Sequence, residues 1–451
     1  MPRRPSSRAV LPAAALLTSV LAACSGGAAT GGITASGTGS TGSTSGGAQG
    51  SPTAPTTVTA PGVATSPTSP SPTAGATSGD TPTTPAQTTS TAASTAPPAS
   101  ASCAPAIVQG LSASERAGQL LMVGLDAGAR RTSLDTLVAA RHLGGVILLG
   151  GWSGGAGAVR ATTGNLESLA TDENTAGLGL LLAADQEGGQ VQQLKGDGFS
   201  RMPSARQQGR LSPSALTAAA TTWGRELKAA GINVNLAPVA DTVPTSIGRA
   251  NAPIGRFDRQ YSSDPTRVAT MSTAFAAGIR AGGVAATAKH FPGLGRITGN
   301  TDVTAQGITD SVATTSDPFL APFRANVADR VELVMVGSAI YPQIDAGTNA
   351  MFSSTVVTDL LRGRLGYDGV VITDDVGAAR AVAGVPVAER ATRFVAAGGD
   401  IVLTARPGDV PTMHRALTAR MAADPAFAAL VEKSVTRVVD LKLRLALATC
   451  P

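Results

Sequence analysis

Eight short apolar runs recur between residues 120 and 403, at 120–124, 145–149, 178–184, 233–238, 284–289, 333–337, 370–373 and 400–403. Polar or glycine-rich positions follow each run. Ala-rich stretches with helical periodicity lie between them, as at 213–230, 265–281, 354–365 and 387–397. A strand with no polar face must be covered on both sides, which is the situation of a parallel strand packed between helices. Eight such units predict an α/β fold closed as a (β/α)8 TIM-type barrel, with a closing helix over 425–447. An open doubly wound sheet is the alternative. No dinucleotide fingerprint favours it, because the stretch at 150–155 reads Gly-Gly-Trp-Ser-Gly-Gly and lacks the G-x-G-x-x-G spacing.

The chain has 451 residues, and its first part cannot join that barrel. Residues 25–102 are almost entirely Gly, Ala, Ser, Thr and Pro, with Asp80 the sole charge. So little apolar side chain cannot offset the entropy of ordering, and a disordered linker is expected over 24–102. Such a coil would span roughly 50 Å. Ahead of it, Arg3, Arg4 and Arg8 precede a short apolar stretch, so residues 1–23 read as an export leader. That stretch ends Leu21-Ala22-Ala23-Cys24, which resembles a bacterial lipobox. The resemblance implies cleavage before Cys24 and lipid on its sulfur, placing residues 103–451 outside the cytoplasm on the outer face of a bacterial cell membrane. Ordinary secretion is the alternative. The other two cysteines, Cys103 and Cys450, bracket the folded region. A barrel brings its first and last elements together and an oxidising compartment permits pairing, so a Cys103–Cys450 disulfide is expected, two free thiols being the alternative.

The formal net charge is +5, and three of the arginines sit in the leader. No basic stripe interleaved with aromatics is present, so nucleic acid is not an expected partner. Barrel chemistry sits where strands end. Past the third run come Asp185-Gln186-Glu187, past the fourth Asp241, past the fifth Lys289-His290, past the sixth Ser338 and Tyr341, and past the seventh Asp374-Asp375. No His/Cys/Asp cluster has metal-ligand spacing. No Gly-x-Ser-x-Gly elbow is present. Neither metal nor cofactor is therefore expected. Carboxylates alone suit acid–base and covalent chemistry on a hydroxyl-rich substrate, glycoside hydrolysis foremost.

Four blocks then carry a family resemblance. Asp185-Gln186-Glu187-Gly188-Gly189-Gln190-Val191-Gln192 looks like DQEGGRVQ, and the segment from Gly231-Ile232-Asn233 to Asp241 like GINxxFAPVxD. Lys289-His290-Phe291-Pro292-Gly293 is similar to the start of KHFPGHG, and 366–375 resembles LGFxGVVxSDD. In order and spacing the chain resembles glycoside hydrolase family 3, specifically its single-barrel β-N-acetylglucosaminidases. That resemblance implies the barrel, a retaining mechanism and exo action. By position it makes Asp374 the nucleophile; Asp375 better fits a cap on the following helix. It gives Asp185 the 4-hydroxyl of the terminal sugar, Lys289 and His290 hydroxyl and acetamide contacts, and Arg259 a substrate contact. Arg256 competes for that last role.

The pattern breaks at Gln190 and Leu294, where the family has Arg and His. It breaks again at Asn300-Thr301-Asp302, where single-barrel members carry Asp-Ser-His with His as acid/base. Asp302 takes that place by count. It is expected to serve as acid/base, kept protonated by a loop that shields it; a solvated loop residue is the alternative. His142 and His414 fall in helix-like segments and are expected to be ordinary residues. Trp152 could stack on a sugar or simply pack.

The implied protein is a monomeric, lipid-anchored exo-β-N-acetylglucosaminidase of the β-N-acetylhexosaminidase type. Its implied substrates are GlcNAc-containing muropeptides from peptidoglycan. The alternatives are a β-glucosidase of the same family and an inert muropeptide-binding protein.

Overall fold

The computed structural model of the protein describes residues 102–451. The leader, Cys24 and the linker up to residue 101 lie outside the described residues. Each of the eight apolar runs contributes a strand: β1 (Leu121–Asp126), β2 (Gly145–Leu149), β3 (Leu181–Ala184), β4 (Val234–Asn235), β5 (Ala285–Phe291), β6 (Leu333–Val336), β7 (Val370–Thr373) and β8 (Val402–Thr404). They pair in parallel in the order β8-β1-β2-β3-β4-β5-β6-β7. One bridge, Ile372 to Ile401, joins β7 to β8 and turns the sheet into a barrel, so the open-sheet alternative is excluded. At that seam Thr373 N–H donates to Ile401 O over 2.9 Å.

Every residue of β3, β5, β6, β7 and β8 is buried, as strands covered by side chains inside and helices outside must be. The helix Pro213–Ala229 shows how the cover is built. Ser212 caps it by accepting from Ala215 N–H over 3.1 Å, and Pro213 supplies a preset first turn. Leu216, Ala220, Trp223 and Leu227 then fall on one buried stripe. Each large apolar side chain on such a stripe contributes about 1.5–3 kcal/mol. The helix Pro265–Ala281 packs against it so closely that a Cβ on Gly278 would lie 2.5 Å from the Ala220 Cβ. The predicted helix over 354–365 is wound as a π-helix, Thr355–Arg364. A short antiparallel hairpin, Gln186–Gly188 with Val191–Gln192, interrupts the path after β3 and has no counterpart in the periodicity. Among the described residues, no helix is long and apolar enough to cross a membrane.

Two features fasten the barrel where it closes. At the N-terminal end of the β7–β8 seam, fully buried Asp400 accepts from Arg362 Nη2 at 2.6 Å, Arg437 Nη1 at 3.0 Å and Val371 N–H at 2.7 Å. At the chain's ends, a disulfide joins Cys103 to Cys450 with 5.8 Å between Cα atoms. It ties the first helix (Ala104–Gly110) to the end of the closing helix (Pro425–Arg444).

Candidate active site

The C-terminal ends of the strands gather an ion network. Lys289, the fifth residue of β5, is 2 % exposed. Its ammonium donates to Asp185 Oδ1 at 2.5 Å, just beyond β3, and contacts Glu187 Oε1 at 2.7 Å. Burial pushes the lysine down, but the two carboxylates outweigh it and hold the group above its ordinary value. Glu187 sits in the hairpin and is 3 % exposed. Arg259 grips it with both arms of the fork, Nε to Oε2 at 2.9 Å and Nη2 to Oε1 at 2.8 Å. Burial alone would raise Glu187; the charges of Arg259 and Lys289 overcome it and bring the carboxyl down to about 2. Arg259 Nη1 also donates to Pro253 O at 2.8 Å, while Arg256 is exposed. Of the two arginines, the structure brings Arg259 into the cluster.

His290, next to Lys289, is held from behind. Its Nδ1 lies 2.7 Å from Oδ2 of fully buried Asp241, just beyond β4. That bond orients the ring so that Nε2 faces Arg259 Nη2, 3.4 Å away. The other Asp241 oxygen accepts from Leu294 N–H at 2.7 Å, so this carboxylate orients the ring and fixes the start of the next loop.

Asp374 follows β7 directly. Among the described residues its carboxylate accepts one hydrogen bond, from Asp375 N–H at 2.9 Å, and its second oxygen accepts none. Asp375 is different. Its oxygens accept from Gly377 N–H (2.8 Å), Ala378 N–H (2.8 Å) and Ala405 N–H (2.7 Å), binding the turn after β7 to the end of β8. It staples two loops rather than capping a helix. Asp302 arrives on the long loop after β5. Arg380 N–H donates to Asp302 O at 3.1 Å and Ala381 N–H to Thr301 O at 3.0 Å, docking that loop on the one that follows Asp374. The Asp302 side chain is half-buried and accepts no hydrogen bond from the described residues. Burial, then the neighbouring Asp374 charge, push it up to about 6, against a smaller pull downward from Arg259 and His290. The Asp374 charge thus reaches Asp302 and raises its proton affinity.

Most of this body matches a known family. Residues 112–441 match the family described as Glycosyl hydrolase family 3 N terminal domain. The chain belongs to glycosyl hydrolase family 3. It is similar to the Beta-hexosaminidase of Xylella fastidiosa (strain M23), 36 % identical over 265 residues, covering 57 % of this chain and 76 % of that protein. The crystal structure of a Beta-N-acetylhexosaminidase from Beutenbergia cavernae DSM 12333 is 48 % identical, with a TM-score of 0.72 over 74 % of this chain and 98 % of that one. A glycoside hydrolase family 3 beta-N-acetylglucosaminidase from Paenibacillus sp. str. FPU-7 is 30 % identical, with a TM-score of 0.66 over 76 % of this chain and 64 % of that one. The protein is a glycoside hydrolase with a family 3 barrel.

The residues singled out for this family 3 site, Asp185, Arg259, Lys289, His290, Asp302 and Asp374, converge on one end of the barrel. Two polar hubs between them, Glu187 and Asp241, were not assigned a role from the sequence. The available signal was a charged residue at a strand end with no solvent to face. Of the departures from the family pattern, Gln190 is exposed, and Leu294 packs in the core at 2 % exposure. Trp152 is buried, 9 % exposed, and its backbone bridges to Leu194. His142 and His414 bond elsewhere, to Asn174 O and Ser114 O at 3.0 Å each. Among the described residues no group of His, Cys, Asp and Glu is arranged to hold a metal ion.

Proposed function

We propose that this glycoside hydrolase is a retaining exo-β-N-acetylglucosaminidase. Asp374 attacks C1 of a terminal β-linked GlcNAc while Asp302 passes its proton to the glycosidic oxygen. The C1–O bond breaks, an ester to Asp374 forms, and the remaining chain leaves as an alcohol. Asp302, now a carboxylate, takes a proton from water, whose oxygen attacks C1 and frees both Asp374 and the β-sugar. Asp185 holds the 4-hydroxyl, and a carboxylate at that position leaves no room for a further sugar, hence exo action. Lys289, His290 and Arg259 orient the remaining hydroxyls and the acetamide, with Glu187 and Asp241 holding those three in place.

The observation that carries this reading is the docking of the Asp302 loop on the loop behind Asp374. It puts a carboxyl of raised proton affinity beside one whose second oxygen is unengaged. The names of the similar hexosaminidases support GlcNAc as the sugar. The leader and lipobox-like Cys24 support a membrane-anchored enzyme outside the cytoplasm acting on peptidoglycan-derived fragments. The deciding experiment compares p-nitrophenyl β-GlcNAc with the β-glucoside, for wild type and Asp374→Ala, reading the released anomer by NMR. Hydrolysis of the GlcNAc substrate alone, with the β-anomer formed first and lost in the variant, is expected. An α-anomer first, or an active Asp374→Ala, overturns the mechanism; turnover of the glucoside overturns the sugar. Cys24→Ser should move the protein out of the membrane fraction.

A further inference from the structure

Asp302 rides on a long loop between β5 and the helical turn Pro318–Leu320. A loop of that length is entropically free to wander unless something gathers its ends. Here Arg296, near its start, reaches two acids near its finish. The guanidinium meets Asp317 through two parallel bonds, Nη1 to Oδ2 at 2.7 Å and Nη2 to Oδ1 at 2.9 Å, and Nη1 also reaches Asp310 Oδ2 at 3.3 Å. Its flat face lies 3.8 Å from the centre of the Phe319 ring. Both acids are themselves fixed by main chain. Asp310 Oδ1 accepts from Val312 and Ala313 N–H at 2.9 and 3.0 Å, and Asp317 Oδ1 from Phe319 N–H at 2.8 Å.

Above this clasp the strands of the loop pinch together. Thr298 and Gly299 N–H both donate to Gly307 O, at 3.1 and 2.8 Å. A Cβ on Gly299 would fall 2.0 Å from Gln306 O, so the neck closes only around glycine. The seven residues beyond the neck carry Asp302 on a turn, where Asn300 Oδ1 accepts from Asp302 N–H at 3.0 Å. Clasp, neck and the docking on Arg380 and Ala381 leave the tip little freedom.

We propose that Arg296 is a positioning residue for catalysis: by clasping the two ends of this loop it presets Asp302 beside Asp374. The inference rests on the reading of Asp302 as acid/base. Arg296 touches neither substrate nor Asp374 in this scheme; it acts through Asp302 alone. Its loss should therefore resemble loss of the proton donor rather than loss of the fold.

The experiment measures kcat/KM for aryl β-GlcNAc substrates with a good (2,4-dinitrophenyl) and a poor (4-methylphenyl) leaving group. The proteins are wild type, Asp302→Asn, Arg296→Gln, Arg296→Lys and the Arg296→Gln/Asp302→Asn double variant. Melting temperature is recorded for each. Arg296→Gln should lose about tenfold or more on the poor leaving group and less than about threefold on the good one. The double variant should be no slower than Asp302→Asn on the poor substrate, because two residues serving one proton transfer are not additive. Should Arg296→Gln fail to fold, Arg296→Lys, which keeps the charge and loses the fork, should show the same leaving-group pattern at smaller size. Equal loss on both substrates, no loss, or additivity overturns the clasp. A leaving-group response in Asp302→Asn that no Arg296 variant shares overturns the clasp alone. A flat response in Asp302→Asn overturns the acid/base reading and the clasp with it.

Discussion

Asp400 and Asp374 stand one strand apart at opposite ends of the barrel, and they are treated in opposite ways. Asp400 is fully buried, and its two oxygens are taken up by Arg362, Arg437 and a backbone N–H. Asp374 is half-open, with one backbone hydrogen bond, no cation paired to it among the described residues, and a second carboxyl, Asp302, beside it. Satisfied charge at the lower end fastens a seam that has a single β-bridge. Unsatisfied charge at the upper end is an instability the fold tolerates, because an unengaged carboxylate oxygen can form a bond with something else.

Removing either acid should expose the difference, and the largest effect belongs to the upper end. Asp374→Ala should lower kcat/KM by about 10⁴-fold or more while leaving the melting temperature unchanged or raised. A variant that kept its rate would erase the contrast. Next comes Asp302→Asn, with a loss of about 10²–10⁴ on poor leaving groups and far less on activated ones. The wild-type rate on poor leaving groups should fall as pH rises through about 6, the value to which Asp302 is pushed, and that limb should vanish in the variant. At the lower end, Asp400→Asn should cost about 3 kcal/mol in denaturant unfolding, since two half-buried arginines would lose the charge of their shared, fully buried partner. Well below its melting point that protein should turn over at the wild-type rate; a slowed enzyme would mean that the two ends are not independent.

The smallest effect has an unusual sign. Asp302 holds its proton more tightly folded, at about 6, than unfolded, at 3.8. Its contribution is therefore fully present below about pH 4 and is lost as pH rises through 6. At pH 7 the charge is a burden, and Asp302→Asn should stabilise the protein by something on the order of 1 kcal/mol after screening at this half-open site. No gain should be seen at pH 4. Destabilisation at pH 7 would show that the carboxylate is held by partners, as Asp400 is.

How much of this could be read from the chain alone follows the same division. The strands were legible because burial on both faces leaves an apolar run with few other uses. The hairpin at 186–192 was not, since Gln186 and Glu187 are buried polar residues and periodicity registers only the apolar ones. Glu187 was missed for a related reason: its partners Arg259 and Lys289 lie far along the sequence, and only closure of the barrel brings them within reach. Asp302 could be located by counting from Lys289. Its surroundings could not, because they depend on main-chain bonds to residues 380 and 381 that leave no mark on side-chain type. Asp375 reads from the sequence as a helix cap, but no helix follows it directly, and its bond to Ala405 in the next loop leaves no mark on the local sequence.

The bond between Cys103 and Cys450 makes the catalytic body a covalent ring apart from its extreme ends. A protease that cuts once in any rim loop, the Asp302 loop included, would not release a fragment. The nicked enzyme would migrate as one species on a denaturing gel until a thiol was added, and only then fall into two pieces. A barrel severed in this way would still remain in one piece.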